Sequence, residues 1–196
     1  YFHLSEHRDC MKASTPILDL GSDFYSVVNG GVFSNPVLRY RNLIQSAVVG
    51  LNQLTDAEWI NHFGRFAPLH NNLTTPLAMK YHGHQFQHYN PDIGDGRGFV
   101  FAQFVLSSPY RSVNASCNLK SNVQLFELGT KGSGQTPFSR RGDGRLTLKG
   151  AVRELLATDY LEKQKVLTSK TFSIVETDEK LQRNDEPSPT RSAVLF

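Results

Sequence analysis

Cysteine is scarce in this 196-residue chain: Cys10 and Cys117 lie far apart and form no Cys-x-x-Cys pair. That argues against a disulfide framework or a zinc ribbon and makes a reducing compartment the expectation. No apolar run is long enough to span a bilayer and no secretory leader pattern is visible. Neither membrane contact nor export is therefore expected, and the sequons at Asn72 and Asn114 read as accidental. An Arg/Ser-rich amphipathic presequence is also missing, which favours the bacterial cytoplasm over the mitochondrion. The net charge of +3 is too small to imply nucleic acid. Two phosphate-binding signatures are absent as well. Nothing matches G-x-x-x-x-G-K-[ST], and Gly94-Asp-Gly96-Arg-Gly98 has the wrong spacing for a dinucleotide fingerprint and precedes a strand.

What remains is an ordinary globular composition, 39% hydrophobic and 20% charged, with one unusual stretch. Between Leu128 and Glu154 there are six glycines and six basic residues (Lys131, Arg140, Arg141, Arg145, Lys149, Arg153), with Asp143 as the one acid before Glu154. Glycine lets backbone come close to a ligand, and fixed cations with free N–H groups favour bound phosphate. The tetrapeptide Gly-Asp-Gly-Arg at 142–145 repeats the one at 94–97, and both are expected to converge on one polyphosphate. By contrast 176–186 is acidic, so the basic segment reads as a local anion site. RNA binding through it is disfavoured, because its aromatics reduce to Phe138.

The pattern predicts an α+β chain. Residues 1–16 show no period and read as a disordered or non-native leader, and 17–37 reads as extended segments and turns. Val37–Leu51 fits an amphipathic helix, and Thr55-Asp-Ala-Glu58 is a capping box ahead of a short second helix. Phe99–Leu106 and Val123–Leu128 read as a pair of strands joined by a polar loop over 107–122, with Phe99, Phe101 and Phe104 as core. Thr147 is the expected N-cap of a helix over Leu148–Lys163. Phe172–Val175 and Ala193–Phe196 read as further strands. Periodicity puts Leu148, Val152, Leu155 and Leu156 on the packed side of the 148–163 helix and Glu154 on the solvent side. His82, His84 and His88 permit a metal site, but stacking or backbone hydrogen bonding suits them better.

The order glycine-rich turn, strand, strand with Lys131 at its exit, then helix with Glu154 is that of a protein-kinase small lobe. In that arrangement the lysine meets phosphate oxygens and the glutamate holds the ammonium.

Five motifs in order carry a resemblance to the selenoprotein O family: Tyr81-His-Gly-His-Gln-Phe86, Gly94-Asp-Gly-Arg97, Lys131-Gly-Ser-Gly-Gln-Thr-Pro137, Ser139-Arg-Arg-Gly-Asp-Gly-Arg145 and Val152-Arg-Glu154. The chain resembles the selenocysteine-lacking bacterial members, from about Asp19 to Phe196. The resemblance implies a pseudokinase-like fold that transfers AMP from ATP to Ser, Thr or Tyr hydroxyls of proteins. Carried over, it makes Gly94, Gly96, Arg97, Lys131, Asp143 and Gly144 nucleotide contacts and Glu154 the ion-pair partner of Lys131, against the solvent-side reading. The family's catalytic Asp and its Mg2+ ligands match nothing up to Phe196. The expectation is therefore a small lobe (17–196) with an N-terminal helical extension and its large lobe missing, inactive on its own. The alternative is a non-catalytic nucleotide- or anion-binding module, or the remnant of a truncated gene.

Overall fold

The computed structural model describes residues 11–107 and 123–196, so residues 1–10 of the expected leader and all but Ser107 of the expected 107–122 loop lie outside the described residues. In chain order the elements are β1 (Met11–Ala13), a 3-10 turn (Pro16–Leu20), β2 (Tyr25–Val27), β3 (Val37–Arg41), α1 (Leu43–Val48), α2 (Asp56–Phe63), β4 (Leu77–Gln85) and β5 (His88–Gly94). They are followed by β6 (Val100–Ser107), β7 (Val123–Gly129), β8 (Leu146–Thr147), α3 (Leu148–Lys163), β9 (Ser173–Leu181) and β10 (Thr190–Leu195). The class is α+β, with few helices and two sheets in which every pair of strands is antiparallel.

One sheet runs β1-β6-β4-β2, with β5 on β4 and β7 on β6; the other runs β3-β9-β10-β8. Just past β7, Lys131 stitches the sheets together. Its N–H donates to the Leu195 carbonyl at 2.8 Å, and its carbonyl accepts from the Leu195 N–H at 2.9 Å. An aromatic core draws on both sheets: Phe99, Phe101 and Phe104, at and beside β6, share one buried cluster with Phe172 and Phe196, which flank β9 and β10. Trp59 and Phe63 of α2 are both fully buried there. Over Val100–Phe104, strand β6 is apolar almost without alternation because both of its faces are buried. The Trp59 indole N–H is satisfied by the Ser173 hydroxyl at 2.8 Å, and the Arg41 guanidinium lies 4.1 Å over its ring.

The expected capping box is present: the Thr55 hydroxyl accepts from the Glu58 N–H, while the Glu58 carboxylate accepts from the Thr55 N–H at 2.8 Å. The expected Val37–Leu51 helix is not. Its first third is strand β3, paired to β9 from Val37↔Glu176 to Arg41↔Ser173. Asn42 then caps a six-residue helix by accepting the Gln45 N–H. Arg41 ends the strand by reaching the carbonyls of Leu51 and Leu54 at 3.0 and 2.7 Å. Pairing with a partner 137 residues away thus overrides a local helical period. Among the described residues there is no helical N-terminal extension either, since strands interleave with two short helices. Met11–Ala13, expected to be loose, runs antiparallel to β6.

Candidate functional site

The site is built from the end of β5 and the turn after it, the exit of β7, the irregular segment 132–145, and α3. Thr147 caps α3 as expected, its hydroxyl accepting the Gly150 N–H at 3.0 Å. Gly150 is tolerated because a Cβ there would lie 3.0 Å from Leu146, so a small residue lets the helix settle onto the second sheet. Ala151 is fully buried against Leu146, Ile174, Ala193 and Leu195, with Leu148 and Leu155 at the margin. This corrects the expected helix face. Val152 and Leu156 are 41% and 63% exposed, while Glu154, one turn beyond Ala151, sits at the edge of the packed face. Its carboxylate meets the Lys131 ammonium at 2.5 Å, each side chain 36% exposed. The solvent-side reading of Glu154 therefore fails: short side chains at 147, 150 and 151, more than apolar periodicity, decide which face packs.

The first Gly-Asp-Gly-Arg turn lies against the segment after Lys131. Arg97 accepts the Gly132 N–H on its carbonyl at 2.6 Å, the Thr136 hydroxyl donates to the Asp95 carbonyl, and the Ser139 hydroxyl donates to the Gly96 carbonyl at 2.6 Å. Gly94 has no room for a side chain. A Cβ there would lie 2.4 Å from the Met79 carbonyl and 2.6 Å from the Phe138 ring; at Gly96 it would lie 3.0 Å from the Phe138 carbonyl. The side-chain space of both glycines is thus taken by protein. The Arg97 side chain is exposed and in no ion pair among the described residues. Asp95 accepts the Met79 N–H at 2.9 Å; burial pushes its carboxyl up from the usual carboxylate range, partly offset by that bond and by the Tyr81 hydroxyl.

The second tetrapeptide closes the same segment. Gly144 adopts a φ of 70°, and a Cβ would fall 2.2 Å from the Gly134 carbonyl carbon, so only glycine fits. Its carbonyl accepts the Gly134 N–H at 3.2 Å. Asp143 accepts the Arg145 N–H at 2.9 Å and the Arg183 guanidinium at 2.8 Å. Burial would raise its carboxyl, but these donors outweigh burial and hold it below the usual range. Arg145 is spent on Glu179, with contacts of 2.5 and 2.7 Å, and lies 5.1 Å over the Phe33 ring.

The structure therefore brings Lys131 to Glu154, the 94–97 turn to residues 132–139, and Gly144 to Gly134. Sequence reasoning gave no role to Thr136, Ser139 or Arg183, and named Phe138 only as the lone aromatic of the basic segment. Thr136 and Ser139 sit within quoted motifs and could have been weighed; nothing local marks Arg183. Two of the three histidines stack: His82 and His84 meet the Tyr89 ring at 5.8 and 5.5 Å, with 3.1 Å between the Tyr89 hydroxyl and His82 Nδ1. Among the described residues no group of three or more His, Cys, Asp or Glu side chains could hold a metal ion.

Comparison with known proteins follows the same lines. The model of a family described as protein adenylyltransferase SelO matches residues 10–196. A protein nucleotidyltransferase YdiU of Synechococcus elongatus is 46% identical over 181 residues, covering 90% of this chain and 32% of that protein. The YdiU of a Synechocystis species is 46% identical over 179 residues, 90% of this chain and 34% of its own length. That of Vibrio atlanticus is 38% identical over 112 residues, 57% and 20% of the two chains. The chain spans about a third of the length of these two cyanobacterial relatives.

Proposed function

The chain belongs to the protein adenylyltransferase SelO family, and on that premise we propose that it is the ATP-binding part of an enzyme that moves AMP onto hydroxyl side chains of proteins. The observation that carries this reading is the Lys131–Glu154 pair at 2.5 Å, half-exposed at the mouth of a glycine-rich segment. A lysine held by a carboxylate is a fixed cation, and a strand-borne lysine paired to a helix-borne glutamate is the arrangement a kinase-like small lobe uses on phosphates. Lys131 and Arg97 contact the phosphate oxygens, the turn at Gly94 and Gly96 offers backbone N–H groups, and Gly144 with Asp143 forms the facing wall. Asp143, already committed to Arg183 and Arg145, orients its neighbours and does not act as a base.

In the proposed reaction an acceptor hydroxyl gives up its proton to solvent as its oxygen bonds to the α-phosphorus, the bond from that phosphorus to the bridging oxygen breaks, and pyrophosphate departs with the developing negative charge. Fixed cations at Lys131 and Arg97 stabilise that charge, so the contribution of these residues is positioning and electrostatics. The described residues do not form a site for Mg2+: no suitable cluster exists, and Glu154 and Asp143 are engaged by cations of the chain itself. No step assigned here runs through a metal. We therefore expect this chain by itself to bind ATP and not to transfer AMP. Its expected location is the cytoplasm of a bacterium; no helix among the described residues is long and apolar enough to cross a membrane.

The test is ATP labelled at the α-phosphate, with filter retention for binding and gel autoradiography of an added acceptor protein for transfer. The expected outcome is retained nucleotide, lost by ~tenfold or more in Lys131→Ala, and an unlabelled acceptor. Equal retention by Lys131→Ala contradicts the site; a labelled acceptor contradicts the division of labour.

A further inference from the structure

Three consecutive carbonyls of the first glycine turn are tied to one segment. The Asp95 carbonyl accepts the Thr136 hydroxyl, the Gly96 carbonyl the Ser139 hydroxyl, and the Arg97 carbonyl the Gly132 N–H. A trans peptide is planar, with its N–H opposed to its carbonyl. The N–H groups of Gly96, Arg97 and Gly98 are therefore turned away from residues 132–139, and no described residue accepts from them. Successive N–H groups turned to one side form a concavity that suits an anion.

Two of the three ties are side-chain hydroxyls, and each has its rotor fixed. The Thr136 hydroxyl accepts the Phe138 N–H at 3.1 Å, and the Ser139 hydroxyl accepts the Thr136 N–H at 2.7 Å. The single proton of each hydroxyl is thereby left for the turn. The turn is anchored independently as well, since the Asp95 N–H donates to the Met79 carbonyl at 3.0 Å while the Asp95 carboxylate accepts the Met79 N–H. Loss of the hydroxyls would thus free the orientation of the peptide planes without releasing the turn from the sheet.

We infer that Thr136 and Ser139 are positioning residues for the polyphosphate: they do not touch the nucleotide but aim the N–H groups of Gly96, Arg97 and Gly98 at phosphate oxygens. This rests on the nucleotide reading given above. Donors already aimed need no reorganisation when the ligand arrives, which is where preorganised sites gain their strength.

The experiment is an ATP titration of the whole chain followed by its amide resonances, with Thr136→Val, Ser139→Ala, the double variant and Thr136→Ser. In the unsubstituted chain the Gly96 and Arg97 amides shift as ATP saturates. The double variant weakens ATP binding by ~tenfold with a melting temperature within about 2 °C of the parent, and Thr136→Ser, which keeps the hydroxyl, returns affinity to within about twofold. ATP binding that leaves both amides unmoved, or a double variant with parental affinity, overturns the positioning role while the nucleotide reading stands. Affinity that falls only in step with melting temperature, unrescued by Thr136→Ser, also overturns it. An unsubstituted chain that binds no ATP overturns both.

Discussion

The two Gly-Asp-Gly-Arg tetrapeptides, at 94–97 and 142–145, are chemically identical and used in opposite ways. In the first, the opening glycine is the crowded one, facing the Met79 carbonyl and the Phe138 ring; in the second it is Gly144, the third residue, pressed onto Gly134. The first aspartate grips the backbone of β4 and is pushed up by burial; the second is held low by Arg145 and Arg183. The first arginine is exposed, whereas the second is bound by Glu179 and covers Phe33. Four residues thus specify a tight turn with one acceptor and one cation, and the neighbours decide which of these is bound into the fold and which stays exposed.

The sharpest break in the symmetry is steric. Gly144→Ala combines a left-handed backbone with a Cβ 2.2 Å from backbone carbon, and should cost about 3 kcal/mol or more in urea unfolding. The equivalent Gly96→Ala, with its nearest contact at 3.0 Å, should cost less than about 1 kcal/mol. The order inverts at the opening glycine. Gly94→Ala should cost about 2 kcal/mol, because its clash is with the Met79 carbonyl and the Phe138 ring, while Gly142→Ala, 3.1 Å from the Ser139 carbonyl, should again cost less than about 1 kcal/mol. Equal costs within either pair would erase the distinction between the turns.

The aspartates separate by pH. Asp143 has its folded carboxyl lowered, so the stability it contributes is present above its unfolded value and is lost as pH falls through the lower folded value. Asp95 is raised, so its contribution is present below its unfolded value and is lost as pH rises through the higher folded value. Urea titrations across the acid range should show the parent gaining on Asp143→Asn as pH rises and losing ground to Asp95→Asn over the same direction. Parallel trends would refute the assignment. The effects are small, since both groups keep partial contact with solvent.

Much of this was legible from sequence where signals are local. The Thr55–Glu58 capping box, the Thr147 cap and the apolar run of β6 each specify their element within a few residues. The misreadings all involve distant partners. Val37–Arg41 is strand because β9 waits for it, and α3 turns Glu154 inward because Ala151 fits against Leu146 and Ala193. The space beside Gly94 and Gly96 is taken by Phe138, 42 residues beyond Gly96, so no local signal shows why these two positions must be small. Arg183 reaches Asp143 across 40 residues with no signal of its own.

The most direct measurement is ATP affinity and melting temperature side by side for Arg97→Ala and Arg145→Ala. Arg97→Ala should weaken ATP binding by ~tenfold and leave the melting temperature within about 1 °C. Arg145→Ala should lower the melting temperature by about 2–4 °C, from loss of a partly buried bidentate pair, and hold ATP affinity within about threefold. The opposite crossing, with Arg97 needed for melting and Arg145 for ATP, would contradict the roles assigned to the two turns.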